Sequence, residues 1–217
     1  MPHKDKGFTI LEITVVLIVI GLLTGILSVS VAGYLAKARA VKARADIQAI
    51  SIAIITFQQD LALLPRSDGS SPRNQSLSVL FLGDAENLPR DTMFAEWGIL
   101  EIKKEVHRNR RNLFFNHLLR NDPNNNGTWG DGGDYAMTSY SLFGVVKHWD
   151  GPYVDDPEIT HDPWGNAYVV SFFEYNRATH GKIVSAGPDG ILQTHPFILP
   201  EDSATVSDDF VRYIRKF

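Results

Sequence analysis

A polar turn in the middle of the chain carries the side chains best suited to metal chemistry. Residues 122–127 read DPNNNG and match the D-x-[DN]-x-[DN]-G opening of a calcium loop, in which alternate oxygen-bearing side chains point at the ion. The match is partial, because Gly133 stands where the motif requires a bidentate glutamate. Asn, Asp and Gly also form ordinary surface turns, so a plain turn is the alternative. The candidate ligands are Asp122, Asn124, Asn126 and Asp131.

No arrangement of reactive residues in the sequence indicates catalysis. The seven histidines are scattered without an HExxH pair, and neither G-x-S-x-G nor a glycine-rich phosphate loop occurs. The chain contains no cysteine, which excludes disulfides, thiolate nucleophiles and cysteine-ligated metals. Its formal net charge of -4 provides no overall basic surface for nucleic-acid phosphates. We therefore expect a protein that is not an enzyme and does not bind nucleic acid.

A long apolar segment near the amino terminus is the first element that positions side chains. From Ile13 to Ala36 the sequence holds no formally charged residue, a length that crosses a bilayer as a helix. A helix also satisfies the backbone hydrogen bonds of a segment in lipid. A cleaved signal peptide and a plain membrane anchor are alternatives, although the apolar run is longer than that of ordinary signal peptides.

Glu12 lies five positions into the segment that begins at Phe8, directly before the uncharged run. An ionised carboxylate in hydrocarbon costs several kcal/mol unless it finds a partner. A plain anchor gives no reason for such a residue, so Glu12 indicates a specific interaction within the membrane.

Residues 6–12, KGFTILE, resemble the class III signal of type IV pilins and pseudopilins. The resemblance implies that a prepilin peptidase cleaves after Gly7 and methylates the new amino terminus on Phe8. The apolar helix would then remain in the mature protein. The resemblance also implies that Glu12 pairs with the terminal amine of a neighbouring subunit, where two groups that are costly in lipid neutralise each other.

The composition changes at Lys37, where charged residues begin to alternate with small apolar ones. Apolar residues then recur at intervals of three and four, which predicts an amphipathic helix over 37–64 that ends before Pro65 and covers a globular domain. The predicted core-facing stripe is Ile47, Ile50, Ile54, Phe57, Leu61 and Leu64.

The centre of the chain gives weaker signals. Residues 66–74 form a polar loop rich in Gly, Ser and Pro, and residues 77–82 are apolar enough for either a helix or a strand. Residues 103–119 predict a helix with a solvated basic face. A contact surface for another subunit or for acidic lipid headgroups is the alternative for that face.

The last third of the chain has the pattern of a small sheet. Between residues 149 and 168, Gly, Pro and Asn separate short aromatic segments, and residues 168–172 and 182–185 are rich in β-forming side chains. The predicted fold class is α+β: a long N-terminal helix, membrane-spanning in its first half and amphipathic in its second, packed on a small C-terminal antiparallel sheet.

Three motifs in this region resemble, in order, the major pseudopilin of type II secretion systems: GPY at 151–153, DPWGN at 162–166 and SAGPDG at 185–190. The resemblance implies a calcium site in the loop after SAGPDG. A run at 193–206 separates the two acidic clusters, and a pair of solvated acidic turns is the alternative. The residues that match the family's ligands are Asp189, Ser207, Asp208 and Asp209.

Together the two resemblances imply a pilin-like, single-pass inner-membrane protein whose C-terminal domain lies in the periplasm. Its copies would form a homo-oligomeric filament that drives protein export across the outer membrane, with prepilin peptidase, other pseudopilins and secretion platform proteins as partners. A type IV pilus subunit is the alternative, followed by a membrane-anchored calcium-binding module or hydrolase. The predicted segments are a leader peptide (1–7), a transmembrane and assembly helix (8–36), and a globular domain (37–217) made of the amphipathic helix (37–64), a variable or inserted region (66–141), and the sheet with its calcium loop (142–217).

Overall fold

The computed structural model divides the chain into two compact units, Met1–Val41 and Lys42–Phe217. It describes residues 7–62, 64–65, 79–82, 87–97, 113–123, 126–128, 134–135, 137, 140–142, 145–154, 159–175, 178–198 and 207–214.

Helix α1 spans Ile10–Leu61, and its first part makes up most of the N-terminal unit. Large apolar side chains there are exposed, Leu17 at 61% and Leu22 at 65% among them. By length and composition α1 can cross a membrane, and none of its most apolar window is buried. The expectation of a helix through the apolar segment is confirmed.

The second part of α1 belongs to the larger unit and carries the predicted apolar stripe. Five of its members, from Ile47 to Leu61, are at most 3% exposed, and Leu64 packs against the same core. The helix ends at Leu61 and not at residue 64, because Ala62 adopts a left-handed conformation with φ 54° that breaks the helical repeat. The amphipathic pattern therefore located the buried face correctly and overestimated the helix length.

A four-stranded antiparallel sheet forms the centre of the larger unit. In spatial order its strands are β1 (Val79–Phe81), β5 (Val169–Tyr175), β6 (Ala178–Ser185) and β8 (Phe210–Ile214). Side chains alternate between its faces. Val170 and Ile183 join the core that contains the α1 stripe, whereas Val169 and Val184 join a second cluster on the other face. The predicted α+β layout is confirmed.

Smaller elements complete the larger unit. Strands β2 (Asp91–Thr92) and β7 (Ile191–Leu192) pair in parallel, and β3 (Tyr140–Leu142) pairs with β4 (Val145–Lys147) in antiparallel fashion. A 3-10 turn covers Ala95–Trp97, and helix α2 covers Phe114–Leu118.

The region 66–141, predicted to be variable or inserted, supplies part of the core. Residues 77–82, which fitted either element, contain strand β1 paired with β5. Phe114 and Leu118 of α2 lie in the same cluster as the α1 stripe. The helix predicted over 103–119 is wrong as a continuous element: Leu113 is extended and bridged to Phe81, and α2 begins only at Phe114. The basic residues 103–111 lie outside the described residues.

Candidate functional site

The beginning of α1 is built around a reciprocal pair of residues, Thr9 and Glu12. The backbone N–H and the hydroxyl of Thr9 each donate to Glu12 Oε2 at 2.9 Å, and Glu12 N donates to Thr9 Oγ1 at 3.2 Å. This is a capping box, which satisfies N–H groups that the first turn of a helix leaves unpaired. Sequence reasoning missed Thr9, although the T-x-x-E spacing was the available signal.

Gly7 and Phe8, the predicted processing residues, precede the capped helix. Both are exposed and outside regular secondary structure, and the Phe8 side chain is 83% exposed. A Cβ atom added at Gly7 would meet no other atom within 4 Å. The peptide bond between them is therefore accessible, as a protease substrate requires, and packing against the described residues does not explain the glycine.

Asp162, in the DPWGN motif, is the centre of a buried network. Its Oδ1 accepts hydrogen bonds from Trp164 N at 3.0 Å and Asn166 N at 2.8 Å, which closes the turn. Its Oδ2 accepts one from Ser185 Oγ at 2.7 Å, and Asn166 Nδ2 donates to Gly187 O at 3.1 Å. The DPWGN and SAGPDG motifs, separate in sequence, thus form one hydrogen-bonded unit.

Two glycines of SAGPDG allow close backbone approach. Gly187 has φ +63°, and a Cβ there would lie 2.7 Å from Asp208 O. Gly190 has φ +70°, and a Cβ there would lie 2.9 Å from Asn166 Oδ1. Glycine avoids both the left-handed strain and the clash. The SAGPDG turn therefore lies directly against the segment that contains Asp208.

Gln193 connects the two acidic clusters that were predicted to bind calcium. Its Nε2 donates to Asp189 Oδ2 at 2.7 Å, and its Oε1 accepts from Asp208 N at 3.3 Å. Asp189 Oδ1 also accepts from Ile191 N at 2.8 Å. The structure thus brings Asp189 and Asp208 into the same neighbourhood through a residue that sequence reasoning did not identify and that no local pattern signalled.

Asp209 is the most enclosed of the predicted ligands. Its Oδ2 accepts hydrogen bonds from Gln193 N at 2.9 Å and Thr194 N at 2.7 Å, and its backbone N–H donates to Ser207 Oγ at 3.0 Å. Its Oδ1 is buried without a hydrogen-bond partner among the described residues. Burial raises the pKa of Asp209 against the lowering effect of these hydrogen bonds, because the charged form is desolvated.

The oxygen atoms of Asp189, Ser207, Asp208 and Asp209 are of the type that a hard cation binds, but their positions do not form a compact set of ligands. Calcium takes carboxylate, hydroxyl and backbone oxygens, and the partnerless Oδ1 of Asp209 is such an oxygen. Within the described residues, however, no three Asp, Glu, His or Cys side chains lie close enough together to hold a metal. Asp189 and Asp208 are exposed, and both oxygens of Asp189 accept hydrogen bonds from protein donors.

The second metal candidate, at Asp122, has the geometry of a turn. Asp122 Oδ1 accepts from Asn126 N at 3.0 Å, and Oδ2 accepts from Gly127 N at 3.1 Å. Asn126 Oδ1 accepts from Thr128 N at 2.8 Å. These bonds favour the plain-turn alternative. The other two candidate ligands, Asn124 and Asp131, lie outside the described residues.

The apolar, capped helix and the small antiparallel sheet define a pilin-like α+β protein. Residues 136–196 match the family model described as Type II secretion system (T2SS), protein G, which confirms the resemblance to the major pseudopilin family. The match includes both hydrogen-bonded motifs and supports a general role as a type II secretion pseudopilin. The capping box and residues 207–209 lie outside it. Searches of curated proteins and of solved structures gave no match.

Proposed function

We propose that this chain is a structural, non-catalytic subunit of a type II secretion pseudopilus that polymerises through α1 and drives protein export across the outer membrane. The observation that carries the proposal is the first part of α1, whose large apolar side chains are exposed, from Ile10 at 86% to Tyr34 at 73%. Such a surface requires lipid before assembly and other apolar helices after it. The match at 136–196 supports the secretion system over a pilus.

In this proposal the helix holds the chain in the inner membrane, with the larger unit in the periplasm. Prepilin peptidase removes residues 1–7 and methylates Phe8, which the accessibility of this bond supports. Other pseudopilins and the secretion platform are the partners in assembly.

Glu12 would then pair with the Phe8 amine of a neighbouring copy. Both hydrogen bonds from Thr9 go to Glu12 Oε2, and no described residue donates to Oε1. The capping box therefore fixes the side chain at the start of α1 and leaves one oxygen for a donor from another chain. A buried ammonium and carboxylate neutralise each other where either alone is costly.

Calcium is part of the proposal, with Asp189, Ser207, Asp208 and Asp209 as ligands. A bound calcium ion would neutralise carboxylates brought together at the ends of a long loop. The partnerless Oδ1 of Asp209 and the glycine-mediated approach of SAGPDG to Asp208 support this assignment. To bind the ion, Asp189 must give up the hydrogen bonds that it accepts from Ile191 N and Gln193 Nε2.

The test is to express the full-length chain in a bacterium whose type II secretion system lacks its own major pseudopilin. We expect intact mass spectrometry to find a methylated Phe8 terminus, and we expect filaments and restored export of a reporter exoprotein. A variant with a bulky residue at Gly7 is the matched control and should remain unprocessed. A terminus near Gly33 would show cleavage by ordinary signal peptidase, and surface filaments without export would favour a pilus.

A further inference from the structure

Lys182, in the middle of β6, is completely buried. Its Nζ donates to the backbone oxygens of His195 and of Ile198, the latter at 2.6 Å. The ammonium also lies 5.5 Å from the ring centre of Phe173 and 5.0 Å from that of Tyr213. No carboxylate of the described residues forms an ion pair with it. Backbone oxygens and aromatic faces thus provide the compensation that a buried lysine usually obtains from an acid.

The lysine is part of a larger set of donors that fix one stretch of chain, residues 194–198, here called the anchored segment. Trp97 Nε1 donates to Thr194 O at 2.7 Å, and Ser171 Oγ donates to Pro196 O at 2.8 Å. With the two bonds from Lys182, four backbone oxygens in five residues are held by side chains from other elements. Buried carbonyls must be satisfied, so these donors determine where the anchored segment lies.

The anchored segment is directly connected to Asp209. Asp209 Oδ2 accepts hydrogen bonds from the N–H groups of Gln193 and Thr194. The next residue in the chain is His195, whose backbone oxygen accepts a hydrogen bond from Lys182. Movement of the anchored segment would therefore displace the donors that orient this carboxylate. Ser171 and Lys182 are register partners on β5 and β6, so the anchor is attached to the most extensively paired strands of the sheet.

We propose that Lys182 is a positioning residue for Asp209: by fixing the anchored segment on the sheet, it holds Gln193 N and Thr194 N in place and aims Asp209 Oδ1 at a divalent cation. The cation step rests on the calcium site of the proposed function. The anchoring step is independent of it. Either protonation state of the amine supplies the two N–H donors, so anchoring does not require the charge.

The test uses the full-length chain in detergent micelles, comparing wild type with Lys182→Met. In chelator, we expect hydrogen exchange of the Gln193 and Thr194 amides to accelerate about tenfold in the variant, because two buried carbonyls lose their donors. In the second arm, calcium titration should show a dissociation constant raised about tenfold, since Asp209 is no longer preoriented. Ser171→Ala, which removes one anchor, should shift both readouts in the same direction by less.

Ile183→Val is the matched control, because Ile183 is equally buried, belongs to the core cluster on the opposite face of the same strand and has no side-chain donor for the anchored segment. Ile183→Val should lower global stability, and hydrogen exchange at residues 193–194 should accelerate no more than that loss of stability explains. The proposal would be overturned if Ile183→Val and Lys182→Met, compared at equal stability, accelerated exchange of the Gln193 and Thr194 amides equally. It would also be overturned if these amides exchanged at the wild-type rate in Lys182→Met. If Lys182→Met does not fold, Ser171→Ala decides by the same criteria. Faster exchange in the variant, with no calcium binding by wild type, would overturn the calcium site and support the anchor.

Discussion

The same residue type has opposite environments in the two units of this protein. Ile10 and Ile26, in the N-terminal unit, are 86% and 70% exposed, whereas Ile50 and Ile54, on the same helix, are 0% and 1% exposed. The larger unit covers its own apolar side chains with a sheet, while the N-terminal unit leaves them uncovered. Exposed apolar surface of this extent favours contact with lipid or with other apolar helices, and among the described residues it is concentrated in the N-terminal unit.

The largest effect is expected at Glu12, the residue proposed to form a specific contact between the N-terminal units of neighbouring copies. Glu12→Ala should insert normally and reduce filament yield roughly 100-fold or more, because removing one partner of the proposed buried ion pair would cost about 3 kcal/mol or more. Filaments recovered by shearing, in cells lacking other copies, provide the measurement.

Glu12→Gln separates pairing from capping. Glutamine can still bond to Thr9 in a capping box but cannot neutralise an amine. We expect it to assemble as poorly as Glu12→Ala. Wild-type filament yield from Glu12→Gln would assign Glu12 to helix capping and remove the pairing role.

A core substitution tests whether the larger unit is stabilised by its own buried side chains. Phe57 is completely buried, with its ring packed edge-on against Tyr135 and Tyr153 at 5.1 and 5.5 Å. Phe57→Ala should lower the free energy of unfolding of the larger unit by about 3–5 kcal/mol. Leu17→Ala, on the exposed part of α1, should change it by less than about 0.5 kcal/mol. Urea unfolding followed by tryptophan fluorescence measures both, and similar losses would contradict a self-contained larger unit.

Calcium should stabilise the larger unit without affecting the N-terminal one. At a concentration one hundred times the dissociation constant, the expected gain is about 2.7 kcal/mol, seen as a higher melting temperature. Asp189→Ala should remove this gain, whereas Asp122→Ala should keep it, because the Asp122 oxygens close a turn. A wild-type melting temperature that is the same in calcium and in chelator would exclude the site.

The smallest expected effect is a pH dependence from Lys182. Burial lowers its pKa from 10.5 to about 8. Between about pH 8 and 10 the unfolded chain therefore holds a proton that the folded chain has lost, and the free energy of unfolding rises with pH, by an amount on the order of 1–3 kcal/mol. Above that window the trend should reverse, because burial raises the pKa of Tyr213 and favours the unfolded chain once tyrosines ionise.

Urea unfolding of the full-length chain at pH 7, 8, 9 and 10 provides the measurement. Lys182→Met should remove the rise between pH 8 and 10. A rise of equal size in that variant would assign the titration to another group.

The family signal, the long helix and the two central strands could be predicted from local patterns. The uncharged segment, the stripe from Ile47 to Leu61, and the strands around residues 169–185 appear as helical spacing or runs of β-forming residues, and the structure contains each of them. The T-x-x-E spacing at Thr9 was also present in the sequence. These features are local, so the residues that form them lie close together in the chain.

Only the tertiary structure decided which distant groups meet. Lys182 begins a predicted run of β-forming residues, and no local pattern marks its side chain as buried, yet pairing of β6 with β5 and β8 places it under the anchored segment. Gln193 has no motif, and its position between Asp189 and Asp208 depends on the fold of a long loop. The sequence by itself determined which faces are apolar and where the chain turns. The pairing of strands far apart in the chain decided which polar groups became buried partners, because burial and hydrogen bonding across such distances leave no periodic trace in the sequence.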